Sequence, residues 1–399
     1  MKRLNLGYFK LLNYDIKIMI ISTIFISLPQ GFLFVDFPIY LNIVGYSPLL
    51  IGLLFTISTF IGSFLVLFIA TISDLKGRKN FVILGYLLFD LSFLILAITY
   101  DLILIITVAV LDGIAFASIS SSFITWFTEK TNSEDRNYAF SFMNFIEGVF
   151  SSIGMVIGGL PPIIAVLTNI SIIDSYKLMY FINFLFSLPS LFLIYRVKES
   201  YRIPKEVEIL PRESFKFVMK LSILGLIGLG AGIIIQLFPL WFYLKFGTNV
   251  DVLGPIFAIS TFLTGIASFF IPMIVKRFGT INIIIFPQLL SIIILIAIPI
   301  SFSYLFAGVL YIFRNVLMNM SNPIFNSFIM TIIPEEERAR GSAIIQLFDS
   351  IPRSIGPTIG GYFFNMGMLD LPFYITAILY TASIILFYMV FKPIFLKRI

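Results

Sequence analysis

Ser73-Asp74-Leu75-Lys76-Gly77-Arg78-Lys79 is a short charged turn between two long apolar runs, Ser47 to Ile72 and Phe81 to Tyr100. A helix of roughly 20 apolar residues crosses a bilayer, and each run is that long. Three cations on one tight turn assign it to the cytoplasmic side, because short cytoplasmic loops collect Lys and Arg. With this turn placed, every other loop acquires a side.

The 399 residues are 59% hydrophobic and 12% charged, with 46 Phe. A soluble domain carries about 25% charged residues, so the chain reads as a polytopic all-α membrane protein. The apolar residues run unbroken rather than alternating, which argues against a transmembrane β-barrel. There is no Cys and no His, so disulfides, thiol chemistry and His-based metal or triad catalysis are excluded, and proton chemistry falls to carboxylates. No metal site, no cofactor and no enzymatic activity are expected. The net charge of +6 does not suggest nucleic acid, since the cations flank apolar runs. The first run, Lys17 to Leu41, is long and lacks a small-residue cleavage site, so it is read as a membrane span rather than a cleaved signal.

Twelve helices are expected at about 16–42, 49–73, 81–99, 102–128, 138–165, 176–196, 215–245, 252–275, 281–301, 304–331, 340–365 and 371–393. Of the 27 Lys and Arg, only Lys177, Lys245, Arg314 and Arg353 fall outside the segments this layout makes cytoplasmic. The bias places both termini in the cytoplasm of a multi-pass cell-membrane protein. The polar stretch Arg196 to Lys220, with Pro204 and Pro211, reads as a linker. The expected organisation is a six-helix bundle over 1–197, a linker over 198–214, and a second bundle over 215–399.

The halves repeat. At an offset of 202 residues, Ile57-Ser58-Thr59-Phe60 matches Ile259-Ser260-Thr261-Phe262, Gly77 matches Gly279, Glu134 and Arg136 match Glu336 and Arg338, Ser152-Ile153-Gly154 matches Ser354-Ile355-Gly356, and Ile157-Gly158-Gly159 matches Ile359-Gly360-Gly361. Parallel repeats of six helices imply two pseudo-symmetric bundles with a substrate path between them.

Over essentially the whole chain this resembles the major facilitator superfamily, whose loop between the second and third helices reads G-x-L-x-D-R-x-G-R-K. Asp74, Gly77, Arg78 and Lys79 match that pattern, while Ala70, Ile72 and Leu75 replace its Gly, Leu and Arg. The second-half echo, Lys276-Arg277-Phe278-Gly279, keeps glycine and positive charge and loses the acid. The resemblance implies a twelve-helix secondary transporter working by alternating access, with the first, fourth, seventh and tenth helices lining a central cavity. It also implies that Asp74 meets the cytoplasmic start of the eleventh helix, near Gly341, and latches one state. An ordinary topogenic loop is the plainer reading. Antiporters of the family carry G-P-x-x-G-G in the fifth helix. Here Met155 replaces that Pro, whereas the eleventh helix does read Gly356-Pro357-Thr358-Ile359-Gly360-Gly361.

Seven charged residues fall within spans: Asp36, Asp90, Asp112, Glu147, Arg314, Asp349 and Arg353. Each costs about 2.5–3.5 kcal/mol at mid-helix, so most should face the interior. Asp112 and Arg314 stand at equivalent positions of the fourth and tenth helices, as a cavity salt bridge, as separate substrate and proton groups, or as a structural pair. Asp36 is a third cavity candidate. Proton coupling falls to Asp112, Glu147 or Asp36, since Glu147 has no cation on its own helix. Asp349 and Arg353 are four apart and pair within one helix. Asp90 is expected to be structural. Asn315, Asn319, Asn322 and Asn326 form a polar stripe about 120° from Arg314, taking 100° per residue. Arg314 is therefore preferred for the cavity, with Asn315 and Asn319 as second choice. Glu147, Ser151, Gly154 and Gly158 share one face, repeated by Asp349, Arg353, Gly356 and Gly360, and are read as helix-packing faces.

The expected function is proton-coupled efflux, by antiport, of a small amphipathic molecule. The alternative is proton-linked import of an organic anion or nutrient anchored by Arg314, and a non-transporting receptor is the remote third. The expected partners are a small-molecule substrate, protons and the lipid bilayer, with no nucleic acid, and the expected state is a monomer.

Overall fold

The computed structural model describes residues 12–132, 135–199, 215–334 and 337–396. Among these, all regular structure is helical, in twelve spans. They are α1 (Tyr14–Ile43), α2 (Pro48–Lys76), α3 (Lys79–Ile98) and α4 (Leu102–Lys130). α5 runs as Arg136–Ile157 and then Leu160–Thr168, and α6 as Ile172–Ser187 and then Pro189–Arg196. α7 is built of Phe215–Lys220, Leu224–Ile234 and Phe238–Phe246, joined by short 3₁₀ turns. α8 (Val250–Phe278), α9 (Thr280–Ala297), α10 (Tyr304–Asn319, then Asn322–Ile332), α11 (Arg338–Asn365) and α12 (Leu371–Leu396) follow. Most of the linker 198–214, together with Glu134 and Glu336 of the repeat, lies outside the described residues.

Local chemistry sets the ends. Asp101 caps α4 by accepting from the Ile103 and Leu104 amides at 3.0 and 3.4 Å. Ser171 caps α6 by accepting from Asp174 N–H at 3.1 Å, which starts the helix at Ile172, four residues before the expected 176. Such caps satisfy amides that the first turn leaves without partners. The interruptions fall where Pro enters: Pro189 restarts α6, Pro239 opens the last piece of α7, and Pro323 opens the second piece of α10. Proline lacks the N–H an interior helix needs but fits a first turn.

Among the described residues, ten helices are long and apolar enough to cross a membrane. The other two are α10, broken at Met320-Ser321, and α11, which carries Arg338, Arg340, Asp349 and Arg353. The two spans that look least like lipid-facing helices are thus the ones loaded with polar groups.

The chain divides into two compact units: Met1–Phe34 with Ile61–Glu206, and Val35–Phe60 with Val207–Ile399. In the first, Ile16, Met19, Val82, Trp126, Phe127 and Met143 belong to one buried cluster. In the second, Val218, Leu221, Ile284, Phe328, Ile329 and Ile345 belong to another. Each of the second six lies 202 residues after its counterpart, so the repeat seen in polar and glycine positions extends to the cores. Gly77 and Gly279, another such pair, both adopt positive φ, +92° and +80°, a backbone region open chiefly to glycine.

Glycines bring one helix pair together in each unit. A methyl built on Gly31 of α1 would overlap the Ser151 carbonyl of α5, and one on Gly154 would overlap the Leu28 carbonyl. In the second unit, Gly228 and Gly232 of α7 stand in the same way against the Asp349 and Arg353 carbonyls of α11. Small residues let backbones touch in lipid, where packing rather than water exclusion drives association. The start of α2, grouped with the second unit, also rides on α11. Gly52 faces the Pro357 carbonyl, Gly361 faces the Pro48 carbonyl, and the Thr56 and Thr358 hydroxyls are 2.7 Å apart.

Candidate transport site

The charged turn between α2 and α3 comes first. Arg78 bridges two carboxylates, Asp74 at 2.6 Å and Glu129 at the end of α4. Burial works against this cation, but hydrogen bonds and attraction from Glu129 and Asp74 more than offset it and raise the guanidinium above its ordinary value. Glu199, just past α6, accepts from Lys79 N–H at 2.8 Å and lies against Gly77. Lys79 Nζ donates to the Tyr195 carbonyl at 2.6 Å and stands 4.9 Å from the Tyr195 ring centroid. The turn is therefore tied to α4 and α6 of its own unit. The sequence reading had found Asp74, Gly77, Arg78 and Lys79, but not Glu129 and Glu199, which are distant in sequence and carry no motif by themselves.

Among the described residues, no cation pairs with the membrane acids of the first unit. Asp90 on α3 is 1% exposed, and neither of its carboxylate oxygens has a hydrogen-bond partner. Asp112 on α4 is half-buried, with Oδ1 sealed and unpartnered. Glu147 on α5 is half-buried, and Tyr86 of α3 lies within electrostatic reach of both Glu147 and Asp90. Ser151 occupies, one turn after Glu147, the position that Arg353 holds after Asp349 in the repeat. The bases of this unit sit at helix ends. Lys130, for example, reaches Asp15 at 2.7 Å.

The second unit differs. Asp349 and Arg353 form a two-pronged pair, with Arg353 Nε and Nη2 donating to the carboxylate at 2.9 Å each. Arg314 is 1% exposed and lies against α12, where Nη2 donates to the Tyr380 hydroxyl at 3.2 Å. Its Nε has no partner, and among the described residues no carboxylate pairs with it. Asn315 faces α8 instead, and Asn319 bonds back to Asn315. Asn315 Nδ2 donates to Ser260 Oγ at 2.9 Å, and Asn319 Nδ2 to Asn315 Oδ1 at 2.9 Å. Both Asn remain half-buried. Asp36, toward the C-terminal end of α1 and grouped with this unit, is fully buried with both oxygens unpartnered. Tyr380, Ser260 and Tyr86 were not singled out from the sequence. A hydroxyl in an apolar helix is common, and only packing shows which one meets a charge.

The sequence profile of the Major Facilitator Superfamily matches residues 19–357, and again 221–396. The chain belongs to the major facilitator superfamily. Solved structures agree on the fold. A bacterial homologue of the human lysosomal transporter Spinster superposes with a TM-score of 0.74 at 13% identity, covering 95% of this chain and 96% of its own. The nucleoside transporter NupG gives 0.72 at 13%, covering 96% and 99%. A bacterial homologue of the iron transporter ferroportin gives 0.73 at 16%, covering 94% and 98%. No curated protein matches by sequence. As a major facilitator protein the chain is a multi-pass membrane transporter, and the charged side chains of its spans are the groups available to handle cargo and ions.

Proposed function

We propose that this transporter exchanges protons for a small amphipathic molecule, exporting it by alternating access, with Asp112, Glu147 and Asp36 as proton carriers. The observation that supports this is the absence, among the described residues, of any ion pair to Asp112, Glu147 or Asp36. A membrane carboxylate without a cation pays the whole cost of its charge, so gain or loss of a proton changes its energy more than for any paired group. Protons and cargo compete for such a site, which is the requirement for antiport. In this reading Asp74, Gly77, Arg78 and Lys79 act as the conformational latch. Both termini face the cytoplasm of the cell membrane, and one chain suffices. The bundles 1–197 and 215–399 rock around the linker 198–214.

Proteoliposomes loaded with a lipophilic cationic dye test it. An inward-directed pH gradient should accelerate dye export, and Asp112→Asn should abolish the acceleration. Transport indifferent to the gradient would remove proton coupling.

A second reading is supported by Arg314, a buried cation that pairs with no carboxylate among the described residues. It anchors an imported organic anion, as a proton-linked symporter. Anion uptake that disappears in Arg314→Gln but persists in Asp112→Asn would favour this reading over export. Cargo in either case is a small solute, as it is for the nucleoside transporter among the structural neighbours.

A further inference from the structure

The helix pair α8–α10 of the second unit is closed at one end and open toward the other. Gly308 of α10 packs so tightly on α8 that a methyl built on it would strike the Ile256 side chain. One turn on, the rings of Tyr311 and Phe257 meet edge to face at 4.7 Å between centroids. The same face of α10 continues at helical spacing through Asn315, Asn319, Asn322 and Asn326. Gly308 and Tyr311 are buried, Asn315 and Asn319 are half-buried, and Asn322 and Asn326 are exposed. On α8, Gly254, Ala258, Thr261 and Gly265 share a face in the same way. The first two are buried, whereas Gly265 is exposed, with nothing within 4 Å of where its Cβ would stand. The exposed apolar residues Ile259, Phe262 and Ile266 lie about 100° further round the helix, taking 100° per residue. The opening therefore continues the packed faces of both helices, not their apolar outer face. Thr264 stands at the middle of α8, and Asn319 near the middle of α10.

The first unit is closed at the equivalent crossing. Gly62 and Gly113, which precede Thr264 and Asn315 by 202 residues, pack directly. A Cβ on Gly62 would meet the Phe116 ring at 3.0 Å and the Gly113 carbonyl at 3.3 Å. Ser63, the counterpart of Gly265, is buried. The polar cleft is thus particular to the second unit.

The cleft accepts hydrogen bonds and has no proton left to give from its three central side chains. Asn315 Nδ2 donates to Ser260 Oγ at 2.9 Å and to Thr264 Oγ1 at 3.4 Å. Asn319 Nδ2 donates to the Asn315 carbonyl and to Asn315 Oδ1, at 2.9 Å each. Thr264 Oγ1 donates to the Ser260 carbonyl at 2.8 Å. A carboxamide or hydroxyl oxygen has two lone pairs. Among the described residues one is used on each, by Asn319 on Asn315 Oδ1, by Asn322 on Asn319 Oδ1 at 3.5 Å, and by Asn315 on Thr264 Oγ1. An occupant must therefore bring donors. A cationic donor is disfavoured. α10 carries no acid, and Asp251, the acid of α8, is in its first turn. Arg314, next to Asn315 in the chain, adds a positive charge in a medium that screens it weakly. A neutral hydroxyl meets both conditions.

We propose that the α8–α10 cleft is a cargo subsite for neutral hydroxyl groups, which donate to Asn315 Oδ1, Asn319 Oδ1 and Thr264 Oγ1. This rests on the reading of the protein as a carrier of small amphipathic molecules, and it names the chemistry of the cargo's polar end. Its depth suits that role, since carriers hold substrate near the bilayer midplane.

Isothermal titration of the protein in lipid nanodiscs, with no gradient, tests it. Phenyl β-glucoside carries hydroxyls on a small apolar body. Its fully O-methylated ether keeps every oxygen and loses every donor, and its amino-deoxy analogue puts an ammonium in place of one hydroxyl. The glucoside should bind, and the ether should bind at least about tenfold more weakly, the value of two neutral hydrogen bonds. The ammonium analogue should also bind more weakly. Asn319→Leu and Thr264→Val remove acceptors at nearly constant volume and should weaken the glucoside by a similar factor. Gly265→Val, which fills the open space without touching a polar group, should do the same at an unchanged melting temperature. A glucoside that does not bind overturns the subsite, as does an ether or ammonium analogue that binds equally well. So do variants that fold and keep full affinity. Binding heat from sodium chloride that choline chloride lacks, and that Thr264→Val abolishes, would assign the oxygens to a metal cation instead and overturn the proposal. Glucoside binding in a protein whose dye export ignores the pH gradient upholds the subsite and removes only proton coupling. Gradient-driven export without glucoside binding removes only the subsite.

Discussion

At the scale of single residues, the energetics turn on whether a charge has a partner. Arg314 has a phenolic hydroxyl at 3.2 Å and the face of the same ring, its Cζ 5.7 Å from the centroid. Neither neutralises it. Replacing a buried, poorly compensated ion with an apolar side chain of similar volume is often stabilising, by about 1–4 kcal/mol. Arg314→Met should therefore raise the melting temperature in detergent, by roughly 2–4 °C for each kcal/mol gained, while it removes anion-dependent uptake if that is the protein's task. A fall in melting temperature would mean that Tyr380 and the ring face compensate the cation fully. Gly148 offers a cleaner case. Nothing lies within 4 Å of the position its Cβ would take, so Gly148→Ala should gain about 0.5–1 kcal/mol by stiffening the helix, read as a higher melting temperature.

At the scale of elements, two contacts carry most of the argument. The first is the glycine seam between α7 and α11. Gly232→Val would drive two methyls into the Arg353 carbonyl, and backbone cannot rotate aside as a side chain can. Overpacking of this kind costs about 1–3 kcal/mol. The variant should melt earlier than wild type, and the equivalent insertion at Gly265, which faces open space, should not. The second is the tie between Glu199 and the start of α3. Glu199→Gln weakens a charge-assisted bond at an exposed site, worth about 1 kcal/mol. Hydrogen exchange at the Lys79 amide should then speed up by about fivefold. Unchanged exchange there would show that the turn is held by Arg78 and its two carboxylates alone.

At the scale of the whole molecule, the testable statement is topology. Because the chain has no Cys, a single cysteine introduced at Lys205 is the sole thiol. It should react with a membrane-impermeant maleimide only after the cells are permeabilised. A cysteine introduced at Asn169, in the turn between α5 and α6, should react in intact cells. The reverse pattern would invert the orientation read from the distribution of Lys and Arg.

The fold was legible because its signals are local or periodic. Runs of apolar residues, Pro at restarts and a 202-residue echo survive without knowledge of any contact. The same offset that links Gly77 to Gly279 links Trp126 to Phe328 in the two cores. Caps shifted ends by a few residues, as Ser171 did for α6, because capping hydroxyls are common and only geometry shows which is used. Side-chain facing was less legible. Arg314 and Asn315 are adjacent in sequence, yet one turns to Tyr380 of α12 and the other to Ser260 of α8. Helical angle gives their separation but not the zero of the rotation.

By itself, then, the sequence determined twelve spans, their repetition, a membrane class and the inventory of costly charges, since bilayer thickness and charge desolvation act on each segment alone. Tertiary structure decided who stands beside each charge. Arg78 has Glu129, Arg314 has the Tyr380 hydroxyl, and Asn315 has Ser260. Such pairings depend on how helices from distant parts of the chain rotate against one another, and packing of glycines and large side chains sets that rotation.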